Sequence, residues 1–286
     1  MSHSSTPPAR SVLVTGATGG LGTAVTRRLA AEGWTVHAAV RNPADARRLA
    51  DLPGDIRPVS LDVTDELSVA AAAAEVGGSL DGLVNSAGLI IQGFWEQVPA
   101  EALRRQFDVN VLGLMTVTRA FLPALRASSG RVVNIGALSS LVALPFFGPI
   151  AASKAALASM TDSLRIELRH QGVKVSLVEP GAMQTEIFDR AVRSAHSDGL
   201  AGGAEVQRQY ARATAAAAAS VAATKLRPVD AAVNAVQHAL TARRPRTRYL
   251  VGPDARTVRV ARRLPTSVRD RALLAALKLT PASFGS

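Results

Sequence analysis

The chain has no cysteine, which excludes disulfides and thiolate metal sites and leaves the redox compartment unread. Its five histidines are scattered without ligand spacing, so a metal centre is not expected. Aromatic residues make up only 4% of the sequence, and with no recognition motif beside them nucleic-acid binding is not expected either. The opening "MSHSSTPPAR" lacks an apolar core and reads as a disordered tail over residues 1–9, not as a signal peptide. One long uncharged stretch, Val132 to Ser153, approaches membrane-spanning length, but Asn134, Ser139, Ser140, Pro145 and Pro149 interrupt it. It reads as a buried strand followed by a pocket loop, and the expected location is cytoplasmic.

What is present suits one large core: 286 residues, 48% hydrophobic, forming a single domain over residues 10–286. Seven short β-rich runs, "SVLVTG", "TVHAAV", "IRPVSLDV", "LDGLVNSAG", "GRVVNIGA", "VKVSLVEPG" and "RYLVG", alternate with Ala/Leu/Arg-rich helical stretches. That alternation predicts an α/β fold with a parallel sheet covered on both faces. The Ala-rich segment 213–223 has high helix propensity and belongs to an insertion, about 183–227, expected to form a lid over a ligand crevice. Net charge is +11, and residues 243–278 hold eleven Lys/Arg against Asp254 and Asp270, so the basicity belongs to the C-terminal tail at about 243–286. Its segment "SVRDRALLAALKL" reads as a solvated helix on the domain edge, with weak contact to an anionic membrane surface as the alternative.

The first strand runs into "VLVTGATGGLG", which sets Gly16, Gly20 and Gly22 at a strand-turn-helix junction. Glycines there let the backbone approach a pyrophosphate, and the helix N-terminus supplies free N–H groups and positive potential. Thr18, Gly19 and Leu21 complete the turn. After the second strand stands Arg41, where an acidic residue would hold a ribose 2′-hydroxyl; an arginine suits a 2′-phosphate and favours NADP(H). Asp62 and Val63 end the third strand, the aspartate able to accept from an adenine amino group, and Asn85, Ala87 and Gly88 end the fourth.

In order along the chain, the TGxxxGxG turn at Thr15 to Gly22, Asp62, "NSAG", Asn110, Lys154 and "EPG" at 179–181 resemble the short-chain dehydrogenase/reductase family over about residues 10–255. The resemblance implies a Rossmann-type doubly wound parallel sheet of about seven strands, with NADP(H) across the strand ends. It adds Asn110, Lys154, Pro180, Gly181 and Thr185 to the cofactor contacts, and implies a homodimer or homotetramer.

In that family Ser, Tyr, Lys and Asn act together: Tyr exchanges a proton with the substrate oxygen, Ser hydrogen-bonds that oxygen, Lys binds the nicotinamide ribose and Asn holds a relay water. Here Lys154 and Asn110 are present, but the tyrosine position is Ile150 and the serine position is Ala137. An alkyl side chain neither donates nor accepts a proton, so ordinary carbonyl reduction should be nearly abolished. The candidate catalytic residues are then Lys154, Asn110 and Ser139, the last a possible substitute hydrogen-bond donor. Tyr210 in the lid, Ser153, Glu179, Asp108 and His170 all have ordinary structural explanations. Three readings stand: hydride transfer to a small apolar acceptor such as an imine, iminium or activated alkene; a non-redox isomerase, cyclase or lyase; and a catalytically silent NADP(H)-binding or partner protein. The first is favoured, because every recognised cofactor position keeps a suitable residue type.

Overall fold

The structure, a computed structural model, describes residues 9–194 and 203–284. The expected N-terminal tail, apart from residue 9, and part of the expected lid, 195–202, lie outside the described residues. All seven expected strands form: β1 Ser11–Thr15, β2 Thr35–Val40, β3 Ile56–Ser60, β4 Gly82–Asn85, β5 Arg131–Ile135, β6 Lys174–Pro180 and β7 Arg248–Val251. They make one parallel sheet in the order β3-β2-β1-β4-β5-β6-β7. The order reverses between β1 and β4, and the carboxyl ends of these strands border the crevice where an open α/β sheet takes its ligand.

The strands read as nearly continuous apolar runs because both faces of the sheet are covered. Val12 and Val14 of β1 pack into one core with Val25 and Leu29 of α1 (Gly20–Ala31) and with Val233 and Val236 of a later helix, Asp230–Thr241. Leu13, pointing the other way, joins a second core with Val69, Val117, Phe121, Leu125 and Leu164. The other helices before the lid are α2 (Pro43–Ala50), α3 (Glu66–Val76), α4 (Ala100–Phe107), α5 (Leu114–Ala127) and α6 (Gly148–Glu167). The lid region supplies α7 (Ile187–Ser194) and α8 (Ala204–Ala222), the second spanning the Ala-rich segment; Asp230–Thr241 is α9, and the basic tail forms α10 (Asp254–Ala261) and α11 (Thr266–Ala276).

Capping explains two of the helix starts. Asn42 accepts from Ala44 N at 2.8 Å with Pro43 at the first helical position, and Asp65 accepts from Leu67 N at 2.9 Å. A π-helical turn, Asp108–Gly113, bridges α4 to α5 and holds Asn110. The expected pocket loop after β5 is shorter than the sequence implies, since α6 already begins at Gly148; His170 lies past the end of that helix, in the 3₁₀ turn Arg169–Gln171. Among the described residues no helix is long and apolar enough to cross a membrane.

A third, smaller cluster fastens the lid. Phe94, after β4, packs its ring against Phe146 (5.7 Å between centroids), Tyr210 of α8 (5.0 Å) and Phe284 near the C-terminus (5.6 Å). Ala213, Leu277 and Leu279 fill in beside them. The lid helix and the chain end are thus stapled together over the carboxyl side of the sheet by aromatic burial.

Candidate active site

At the carboxyl ends of β1 to β4 lies a cleft of ≈ 320 Å³. Twelve of the residues expected to hold the cofactor line it: Gly16, Thr18, Gly19, Gly20, Leu21, Gly22, Arg41, Asp62, Val63, Ala87, Gly88 and Thr185. Gly16 has φ 64°, and a Cβ there would stand 2.8 Å from the backbone N of Ala87. A Cβ on Gly22 would stand 2.1 Å from the carbonyl oxygen of Gly16, so the turn closes onto the first helical residues only without side chains. Gly19 caps α1 with no side-chain bond, so the first-turn N–H groups of that helix lie open at the cleft. Open amides, a positive helix end and bare glycines fit a pyrophosphate.

The adenosine end of the cleft carries opposite charges. Burial pushes the Asp62 carboxyl up, but bonds from Thr64 N (2.9 Å) and Thr64 Oγ1 (2.7 Å), together with the charge of Arg41, outweigh it and hold the group below its usual range. Arg41 stands exposed directly after β2, beside the N-terminus of α2, where a 2′-phosphate would meet both a guanidinium and a helix end. The sequence reading missed Arg105 and the pair Glu186–Arg190, which also line the cleft. That pair, 2.9 Å apart at i,i+4 spacing, was the available signal.

Asn85 is a correction. Its side chain is fully buried and donates to Thr118 Oγ1 and Asn134 Oδ1, both at 2.9 Å, so it ties β4 to β5 and α5 instead of facing the cleft. Asn110, Lys154, Pro180 and Gly181 do not line the cleft either. Asn110 and Lys154 lie deeper: a Cβ on Gly88 would be 3.3 Å from Asn110 Oδ1 and 3.8 Å from Lys154 Nζ, which puts both side chains directly behind the cleft wall. Gly181 donates its N–H to Val251 O at 3.0 Å and joins the ends of β6 and β7.

Lys154 is buried, and its Nζ donates to the carbonyl of Ile135 at 2.8 Å. Desolvation lowers its pKa to about 8. The Asn110 side chain is saturated by protein: Oδ1 accepts from Leu89 N (2.9 Å), while Nδ2 donates to Leu89 O (2.9 Å) and Ser153 Oγ (3.3 Å). Ser153 in turn donates to Ile150 O at 2.9 Å and accepts from Gln106 Nε2 at 3.4 Å. This network fixes the π-helical turn against the loop after β4 and against α6; the amide of Asn110 therefore acts as a clamp.

Ile150, one turn before Lys154 on α6, is 6% exposed. Ala137 precedes the 3₁₀ turn Leu138–Ser140, which packs on α6. Ser139, on that turn, makes no hydrogen bond among the described residues, whereas Ser140 donates to the buried carboxylate of Glu179. Burial pushes the Glu179 carboxyl up, opposed by Ser140 and by Arg248, whose Nε lies 3.2 Å from Oε2. Glu179 thus anchors the turn and is not itself open to a ligand. The two tyrosines are both committed elsewhere. Tyr210 lies in the aromatic staple and hydrogen-bonds Glu96, while the Tyr249 hydroxyl accepts from Arg246 N (2.9 Å) and pairs with His238 Nδ1 (2.8 Å).

Known proteins resemble the chain in sequence and fold. The short chain dehydrogenase family model matches residues 10–196. The chain is 39% identical over 186 residues to a 3-amino-tetrahydro-pyrrolizinone reductase of Xenorhabdus hominickii, a match covering 63% of this chain and 64% of that protein. A short-chain dehydrogenase of Burkholderia cenocepacia in complex with NADP superposes with a TM-score of 0.72 at 30% identity, covering 96% of this chain and 98% of the other. A short-chain dehydrogenase/reductase of Burkholderia phymatum in complex with NAD does so with a TM-score of 0.75 at 26% identity, covering 96% of each chain. Sequence, sheet order and cleft agree, and the chain belongs to the short-chain dehydrogenase family, an oxidoreductase family with a Rossmann-type fold.

Proposed function

We propose that this protein is an NADPH-dependent reductase whose acceptor needs no proton from a tyrosine at the reacting atom. The observation that carries this reading is the position of Ile150: a buried alkyl group one turn before Lys154, with both tyrosines locked into other contacts. Bound NADPH supplies the hydride. Thr18, Gly19 and the open end of α1 would hold its pyrophosphate, Arg41 its 2′-phosphate, and Asp62 its adenine, all of them lining the cleft. Lys154 lies behind Gly88 and donates to Ile135 O; its ammonium has further donors, which would be available to the nicotinamide ribose.

A ketone oxygen gains negative charge as hydride arrives and needs a donor at once; Ile150 and Ala137 offer none. An iminium carbon becomes a neutral amine on accepting hydride, and an activated alkene takes its proton from water afterwards. Either class is served by orientation and needs no donor at position 150. The Xenorhabdus hominickii relative is named as a reductase of a nitrogen heterocycle, which makes a nitrogen-containing acceptor the first class to test.

The test is NADPH oxidation with a cyclic imine, an enone and a ketone side by side, after titration by nicotinamide fluorescence. Turnover of imine or enone well above ketone supports the reading. Turnover of ketone alone, or absence of NADPH binding, overturns it.

A further inference from the structure

The reductase chemistry leaves the basic helices α10 and α11 unexplained. Helix α11 buries none of its eleven residues, and α10 buries only Ala255. Across these two helices and the link between them Val260 is 61%, Leu264 37%, Val268 47% and Leu274 38% exposed. Four of the nine large hydrophobic side chains exposed among the described residues thus fall within fifteen positions. Basic side chains lie among them: Arg256 stands four residues before Val260 and Arg263 three after it, Arg259 adjoins Val260, and Arg271 lies three residues from both Val268 and Leu274. Among the described residues the guanidinium groups of these four arginines have no hydrogen-bonded or ion-paired partner. The segment 254–278 holds seven Lys/Arg against Asp254 and Asp270, and Arg269 spends its charge on the neighbouring Asp270 at 3.6 Å.

We propose that α10 and α11 form a docking surface for an anionic lipid bilayer, with the arginines at the headgroups and Val260, Leu264, Val268 and Leu274 inserted at the acyl boundary. Exposed aliphatic side chains interleaved with unpaired arginines match a surface that is both charged and oily. A second copy of the chain would set like charges together, and a nucleic acid would leave the aliphatic groups against water with no aromatic in either helix to stack on a base. No spanning helix is required, in keeping with the lack of one among the described residues. The surface lies on helices outside the cleft, so docking and cofactor binding are separable.

Flotation of the full chain with vesicles tests this. Phosphatidylcholine vesicles are compared with vesicles rich in phosphatidylglycerol, at low and at physiological salt, with duplex DNA and size-exclusion chromatography in parallel. Binding is expected to the anionic vesicles only, weakening with salt. Each basic residue near such a surface contributes roughly a factor of five, so R259S/R263S should bind roughly 25-fold more weakly. V260S/L264S should also bind several-fold more weakly, although its charge is unchanged. Both variants keep NADPH affinity, which shows that they are folded. Binding to neither vesicle, equal binding to both, DNA binding with no flotation, or self-association without flotation overturns the proposal. Loss with the arginine variant but not with the aliphatic one would also overturn the inserted geometry.

Discussion

Lys154 Nζ donates to the main-chain carbonyl of Ile135 at 2.8 Å, pinning α6 to the end of β5 directly behind Gly88. The lysine is buried and its pKa is lowered to about 8, so at neutral pH the fold carries a buried ammonium beside an alkyl side chain, Ile150. Every prediction about the reacting end of the site starts from that pair.

The buried ammonium sets a pH dependence. In the unfolded chain Lys154 returns to its ordinary value of 10.5, so the folded state binds the proton less tightly. The resulting penalty is fully present below about pH 8, amounts to about 3 kcal/mol, and fades as pH rises from 8 to 10.5. Lys154→Met removes the titrating group. Denaturant unfolding from pH 7 to 10.5 should show wild type gaining stability relative to the variant across that window; parallel curves would contradict the buried position.

Arg41 should decide between the two dinucleotides. Arg41→Ala removes a charge-assisted contact worth about 1.5–3 kcal/mol, so NADPH affinity should fall roughly 10- to 100-fold with little change for NADH. Fluorescence titration of both cofactors checks this.

Gly16 and Gly33 make a controlled comparison. Both have positive φ, 64° and 80°, but a Cβ on Gly33 would meet nothing within 4 Å while one on Gly16 would stand 2.8 Å from Ala87 N. Gly33→Ala should lose about 1 kcal/mol for strain alone. Gly16→Ala should lose more and weaken NADPH binding as well, read by thermal unfolding and titration.

Ser153 joins three groups: Ile150 O, Asn110 Nδ2 and Gln106 Nε2. Ser153→Ala leaves buried polar groups short of a partner and should destabilise the fold by about 1–3 kcal/mol. Because the network clamps the loop carrying Leu89, kcat should fall as well, while NADPH affinity changes less. An unchanged unfolding midpoint would contradict the network.

The sheet and the glycine turn were legible because their signals are local. Strands buried on both faces read as Val/Leu runs, and Gly16, Gly20 and Gly22 sit within one turn of each other. What was not legible depends on partners far away in sequence. Asn85 looks like a loop residue at a strand end, yet its partner Thr118 lies 33 residues on; Ser140 meets Glu179 across 39 residues. Asn110 reads as a water-holding residue from its family position, whereas its amide is consumed by Leu89 and Ser153. The fate of Tyr210 is likewise visible only once Phe94 and Phe284 are brought around it.

The central claim is that hydride transfer here proceeds without a tyrosine proton. The direct measurement is NADPH oxidation by wild type and by the double variant Ala137→Ser/Ile150→Tyr, each with a cyclic imine and with a ketone. The phenol and hydroxyl supply the missing donors, so the account predicts that ketone turnover rises at least 100-fold in the variant while imine turnover does not rise with it, a general acid being worth roughly 10²–10⁴ in rate. Ketone turnover in the wild type already equal to that of the variant would contradict it.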